Sequence, residues 1–423
     1  MTTNDARALE DAHLAQPLNQ PVLPGAGVHA RHAAGARVTL SSALEGFRRS
    51  GIREVMDMAA TLDGVVHLEL GEPDFPTPDH IVEAVQGALE SRAVKYTLSR
   101  GDPGLRELLA EKLRRTNGVA AGADDVVVTV GGTGALSAAM IALAGPGDGV
   151  LLPDIGWPAY EMMARLVGAR ILYYRLLPES GFEPDLDQLA MLAREARVLV
   201  VNSPSNPTGA VFSRATSERI LEIAGRCDLT VLSDEVYEEI VFDGEHVSLA
   251  GLDDDGRVVG VYSFSKTFAM TGWRTGYLTA ASPVIEAVVK VQEALVSCPP
   301  WAGQRAAEAA LTGPQSVVAE MRDEYRRRCD LAVELLERHG LAVSRPRGTF
   351  YALARVGAAD SDTYGFVQRL LLEERVAVAP GGTFGPAGGG LVRLSLASSP
   401  EAISEGIERL ARMVARQAAE ASP

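Results

Sequence analysis

Short apolar runs, separated by amphipathic or polar stretches, set the pattern in the middle of this chain. Val126–Val130 is the first, and comparable runs recur at 149–152, 170–174, Val198–Asn202, 229–232 and 258–264. Each is rich in Val, Ile or Leu and apolar on both faces. A strand of that kind has to be covered on both sides. Its alternation with helices predicts a largely parallel sheet between helical layers. Helical periodicity is clearest at Asp79–Glu90 and 103–116, ahead of the first strand, and at 136–144 just behind it. Residues 52–60 read as a short amphipathic helix and 65–70 as a short strand. Between them and the helix at Asp79 lies Gly71-Glu72-Pro73-Asp74-Phe75-Pro76-Thr77-Pro78, where three prolines and a glycine break regular structure.

The pattern then changes. Residues 283–310 form a long helical stretch and 318–338 an Arg-rich one. Short strands follow at 342–344, 350–353, 376–379 and 391–396, with helices between them. That mixture predicts a smaller α+β unit. A chain of 423 residues has room for roughly two to three structural units.

Composition narrows the function classes more than the fold. The net charge is −15 and the pI about 5.0, with Lys and Arg scattered. Neither a nucleic acid nor an anionic membrane is the expected partner of such a surface. Cys227, Cys298 and Cys329 form no CxxC pair, so neither a disulfide framework nor a zinc site is expected. His29 and His32 lie close together among no other ligand types and read as part of a solvated tail; no metal is expected. There is no secretory pattern at the N-terminus and no apolar run near the roughly 20 residues a membrane span needs. The expected location is the cytoplasm.

Four motifs carry chemistry, each at or just past the end of a predicted strand. Gly131-Gly132-Thr133-Gly134-Ala135 opens a helix, where free N–H groups and the helix dipole favour an anion. By itself this is a common turn, and it completes neither a Walker A loop nor a dinucleotide fingerprint. Asn206-Pro207-Thr208-Gly209 alone would be a turn. Ser233-Asp234-Glu235-Val236-Tyr237 places an acid and a phenol where open α/β sheets bind ligands, although Ser233 or Asp234 could equally be a helix cap. The strongest motif is Ser263-Phe264-Ser265-Lys266-Thr267-Phe268, followed by Gly272-Trp273-Arg274-Thr275-Gly276. A lysine directly after an apolar strand is poorly placed for simple solvation and well placed to lose its proton and form an imine. Arg274 suits a forked contact to a phosphate or a carboxylate. An ion-paired loop lysine would explain Lys266 taken singly. Together the motifs supply an anion cradle, a carboxylate, a phenol, an amide and a lysine, which is what pyridoxal 5′-phosphate (PLP) requires.

With these residues in hand, the chain resembles the class I/II aminotransferases, the aspartate-aminotransferase-like branch of fold-type I PLP enzymes. The resemblance runs from about Ser50 to the C-terminus. It implies an α/β fold with a large, mostly parallel sheet covered by helices and a smaller α+β domain. The implied division is a variable arm at 1–37, an N-terminal part of the small domain at 38–74, the large PLP-binding domain at 75–325 and the C-terminal small domain at 326–423.

The same resemblance implies roles. Lys266 is similar to the Schiff-base lysine that also shuttles a proton, and Asp234 to the partner of the pyridine nitrogen. Tyr237 and Asn206 match residues that bond the ring's phenolic oxygen, and Trp157 the aromatic that stacks on the ring. Gly132, Thr133, Ser263 and Arg274 correspond to phosphate contacts. Tyr96 is similar to a tyrosine that reaches the neighbouring subunit's phosphate, implying a homodimer with shared active sites. Arg393 resembles the clamp on the substrate α-carboxylate, and Gly71 a backbone contact beside it.

Transamination between an amino acid and a 2-oxo acid, with ping-pong kinetics, is the implied reaction. Thr133 stands where one subgroup carries lysine, and Glu293 near a position where dicarboxylate-specific relatives carry arginine. A neutral or cationic donor side chain is therefore expected, and not a strictly dicarboxylic one. Elimination, replacement or cyclisation of an activated amino acid such as S-adenosylmethionine begins with the same chemistry and stays open. A nicotinamide-dependent dehydrogenase or a PLP-binding protein without catalysis fits the motifs less well.

Overall fold

The computed structural model describes residues 44, 47 and 49–420, apart from 359. The arm at 1–37, and His29 and His32 within it, lie outside the described residues.

Among the described residues twelve strands are formed: β1 Val66–Leu68, β2 Val126–Val130, β3 Gly149–Asp154, β4 Arg170–Leu177, β5 Glu183–Pro184, β6 Val198–Asn202, β7 Thr230–Asp234, β8 Val258–Ser263, β9 Thr275–Thr279, β10 Tyr351–Arg355, β11 Val376–Pro380 and β12 Leu391–Ser395. Eight make the large sheet in the order β2-β9-β8-β7-β6-β3-β4-β5. Its centre, β8-β7-β6-β3-β4, is parallel throughout. Every residue of β3, β6 and β8 is buried, as their two-sided apolar runs require.

The period of two decides which helices each face meets. Val198 and Val200 of β6 join one core with Leu136, Tyr160, Ile285 and Val288. Those side chains belong to the helices Gly131–Leu143, Pro158–Leu166 and Ser282–Val296. Leu199 and Val201 face the opposite core with Leu189, Ile220 and Ile223, from the helices Leu186–Leu192 and Arg214–Cys227. Each fully buried Val or Leu contributes about 1.5–3 kcal/mol, so this sandwich fixes the register of the sheet.

The small sheet has the order β1-β11-β12-β10. It packs its apolar side against the helices Ser316–Arg338 and Pro400–Glu420 in one continuous core that also takes in Tyr237 and Ile240. β1 pairs in parallel with β11, so a segment from the start of the described chain completes a sheet built from its end.

Three expectations are corrected. The helix after β2 begins at Gly131 rather than 136, so the glycine run is the first helical turn and not a loop before it. The stretch 283–310 is two helices, Ser282–Val296 and Trp301–Thr312, parted at Ser297 (φ +64°) and the Pro299-Pro300 pair, whose rings cannot continue a helix. Residues 342–344 contribute one isolated bridge, Ala342 to Ala354, and no strand. β9, an antiparallel strand of the large sheet, escaped notice because Thr275-Gly276-Tyr277-Leu278-Thr279 is short and carries a glycine.

Candidate active site

Chain order explains where a ligand can sit. After β3 the sheet grows outward to β4 and β5, then returns to β3's other side with β6. Loops leaving the carboxyl ends of neighbouring strands diverge at such a reversal and leave a crevice. A cavity of about 670 Å³ lies there. Of the twelve residues singled out in the sequence, eleven line it: Gly71, Gly132, Thr133, Trp157, Asn206, Asp234, Tyr237, Ser263, Lys266, Arg274 and Arg393. Tyr96 does not; it is 91% exposed. Glu293 is exposed and is not among the lining residues either.

One end of the cavity is built for an anion. Gly131 has φ +68°, and a Cβ there would stand 2.7 Å from Arg274 Nη2, so only glycine brings the guanidinium over the helix N-terminus. Ser263 is buried beside it, while Arg274 and Thr133 remain exposed in the single chain. Arg274 Nη1 donates to Thr271 O at 3.0 Å.

The middle of the cavity holds a lysine and a carboxylate. Lys266 Nζ donates to Gly71 O at 2.6 Å, its one hydrogen-bond partner among the described residues, although an ammonium has three donors. Burial lowers its pKa to about 8, against the pull of Glu72; the nearby Arg393 and Arg274 lower it further. Asp234 is buried, and that desolvation raises its pKa to about 6 despite the hydrogen bonds that hold its charge. Those bonds come from Tyr160 Oη to Oδ2 and from Val236 N to Oδ1 at 3.3 Å. Asn202 steadies the same turn, donating to Asp234 O at 3.0 Å and accepting from Asn206 N at 2.8 Å. Tyr237 Oη lies 2.9 Å from Tyr351 Oη, and burial pushes its pKa well up.

The far end is a second cation. Arg393 is 1% exposed. Nη1 donates to Asn206 Oδ1 at 3.2 Å and Nη2 to Glu69 O, while the guanidinium lies 4.4 Å from the centre of the Tyr351 ring. Its Nε is buried with no partner among the described residues. Burial of an unneutralised charge lowers its pKa. Gly71 is fixed by closeness, since a Cβ there would meet Tyr351 Oη at 2.0 Å.

Tyr160 and Tyr351 line this cavity and went unnoticed in the sequence. Tyr160 carried one signal, its place three residues after Trp157 and one helical turn on, where the two rings meet edge to face at 5.4 Å. Tyr351 carried none, being joined to Tyr237 across 114 residues of chain.

The donor set fits PLP. The helix N-terminus, Ser263 and Arg274 suit a phosphate; Trp157 suits a flat ring; Asp234 suits a protonated ring nitrogen; Lys266, short of partners, suits an aldehyde. The orphaned Nε and the two terminal nitrogens of Arg393 suit a carboxylate. Because Tyr160 draws the Asp234 pKa down, we predict that Tyr160→Phe raises it. PLP affinity for the apoprotein should fall as pH drops through about 6 in the wild type and at higher pH in the variant. Fluorescence titration against pH would check this, and coincident midpoints would count against it.

The model of the family "Aminotransferase class I and II" matches residues 63–410. The chain is 38% identical to an aspartate aminotransferase of Pyrococcus abyssi over 89% of its own length and 98% of that protein. It is 36% identical to an arginine–pyruvate transaminase of Pseudomonas aeruginosa over 82% of its length and 89% of that protein. Among solved structures it is similar to the aspartate aminotransferase of Thermus thermophilus with maleate, with a TM-score of 0.85 and 38% identity, covering 89% of this chain and all of that one.

Proposed function

The chain belongs to the class I and II aminotransferases, a family of PLP-dependent transferases, and on that premise we propose that it moves an amino group between an amino acid and a 2-oxo acid at Lys266. The observation carrying the proposal is the joint placement of Lys266, Asp234 and Arg393 in one cavity with a phosphate-type cradle at its end. Bound PLP supplies an electron sink for the negative charge that develops at the substrate α-carbon.

The chain's own residues do the rest. Asp234 keeps a proton on the ring nitrogen, because a carboxylate beside it favours the charged ring. Tyr160 keeps that carboxylate ionised and aimed. Tyr237 and Asn206 would donate towards the ring's oxygen, and Trp157 would stack on the ring and fix its tilt. Arg393 and the Gly71 backbone hold the substrate carboxylate, so the bond to be broken at the α-carbon stands against Lys266. With a pKa near 8, Lys266 can take that proton as a neutral amine and return it as an ammonium.

Arg393→Lys is predicted to lose about 2–3 kcal/mol of carboxylate binding, roughly a hundredfold in kcat/KM. The visible band of the bound cofactor should persist. An unchanged kcat/KM would remove Arg393 from the substrate site.

Ile52, Leu70, Pro158 and Met162 are among the cavity's lining residues, together with Arg53 and Glu72. That lining supports a broad preference centred on neutral or cationic side chains. Rates with Asp, Ala, Leu, Phe and Arg test it; dominant aspartate turnover would overturn it.

The division of the chain into 38–74 and 326–423 around one sheet and 75–325 around the other is part of the same proposal, supported by the pairing of β1 with β11. A homodimer belongs to it too. Val94, Tyr96 and Leu98 are more than half exposed, as is Leu295, and a second copy covering that surface would bring Tyr96 to the phosphate end. Among the described residues no helix is long and apolar enough to cross a membrane, which is compatible with a cytoplasmic location.

A further inference from the structure

The turn after β7 sends its residues to two opposite sides. Asp234 and Tyr237 line the cavity. Glu235 and Glu238, each one position further on, are not among its lining residues and join a cluster of buried charges. Glu235 is 1% exposed. Its Oε1 accepts from Ser233 Oγ at 2.9 Å and Leu249 N at 3.2 Å, and its Oε2 meets His246 Nε2 at 2.9 Å. Glu238 Oε2 accepts from Asn117 Nδ2 at 2.6 Å, and its Oε1 from Lys112 Nζ at 2.5 Å. Lys112 donates to Asn117 Oδ1 as well, at 2.9 Å, and lies 5.1 Å from the Tyr262 ring centre.

Glu235, Glu238 and His246 bring ligand atoms within 4.8 Å of one another, yet the cation of this cluster is already present as the Lys112 ammonium. A metal is not what the arrangement calls for. Nor is stability a sufficient reason for it, because burying charged groups costs several kcal/mol apiece and well-packed apolar residues often do as well. What the cluster does provide is direction. Glu235 is tied on three sides to its own strand, to residue 249 and to the ring of His246. Glu238 is tied to the segment carrying Lys112 and Asn117. Asp234 and Tyr237 are their immediate neighbours along the same turn. The other His246 nitrogen, Nδ1, is buried without a partner among the described residues, so Glu235 is the group that orients the ring.

We propose that His246 is a positioning residue for the reaction: through its hydrogen bond to Glu235 it fixes the turn that aims Asp234 and Tyr237 into the cavity. This rests on the reading of Asp234 as the cofactor's partner. Glutamine at 246 places its amide nitrogen close to where Nε2 stands, whereas asparagine stops short of Glu235. Both are polar and differ by one methylene, which separates the bond from the burial.

The test compares His246→Asn and His246→Gln as holoenzymes, with a thermal melt of each. For the asparagine variant the expected result is a kcat lower by about tenfold or more at unchanged donor KM. The visible circular dichroism of the bound cofactor should fall, and PLP should bind the apoprotein more weakly. Glutamine should restore all three. An asparagine variant with wild-type kcat and visible circular dichroism, whatever its melting temperature, would overturn the proposal, and so would a glutamine variant that fails to restore them. Should the asparagine variant not accumulate, Glu235→Asp withdraws the carboxylate from the other side of the same bond, and wild-type kcat and visible circular dichroism in that variant would overturn the proposal. A wild-type protein that binds no PLP would instead sink the reading of Asp234, and that is seen before any variant is made.

Discussion

Lys266→Ala is expected to lower kcat/KM for amino-group transfer by about five to six orders of magnitude, with the visible cofactor band lost and the fold intact. The size follows from what the residue does twice. In the proposed reaction its amine is the covalent attachment point, and the same atom carries the proton at the substrate α-carbon. No neighbour can take over. A guanidinium offers no free lone pair to accept a proton, the Tyr237 phenol holds its proton well above neutrality, and Asp234 is committed to Tyr160 and Val236. Alanine removes one ammonium that is partly sheltered from water and has a single hydrogen-bond partner among the described residues, so little stability should be lost. Equal melting temperatures with collapsed turnover would separate chemistry from folding. Residual activity within tenfold of wild type would contradict the assignment.

Asp234→Asn is the second large effect, expected at about three orders of magnitude in kcat. The amide keeps the shape and can still bond Tyr160 and the Val236 backbone, but it cannot hold a positive charge on a ring nitrogen. The environment sharpens the contrast. Burial has already brought this carboxyl up to about 6, so its ionised form depends on a few directed bonds and on the cation it faces. Substrate binding through Arg393 should be spared, leaving KM close to wild type. A variant that lost KM and kept kcat would place Asp234 in substrate binding instead.

The fold was legible where burial is two-sided. Val126–Val130 and Val198–Asn202 stand at the bounds read from their apolar runs, because nothing in those stretches competes with strand. Legibility failed where tertiary contact overrides local pattern. Ser297, Pro299 and Pro300 split an apparently continuous helix, and β9 is a strand because two neighbours pair with it, not because its residues prefer that state. The site followed the same division. Lys266, Asp234 and Asn206 each sit beside a recognisable strand end. Tyr160 and Tyr351 act through bonds to Asp234 and Tyr237 that span 74 and 114 residues, which no local spacing encodes. Tyr96 is a third case: it is exposed and does not line the cavity of its own chain, and its role rests on the proposed second copy.

The measurement that bears most directly on the central claim is the absorption spectrum of the purified protein with PLP, recorded before and after single amino acids are added. The account predicts a visible band, absent from Lys266→Ala, that one donor bleaches stoichiometrically and a 2-oxo acid restores. A band that forms but leads to product without any 2-oxo acid would move the protein to elimination or replacement chemistry. The absence of any band after PLP is added would contradict the account at its foundation.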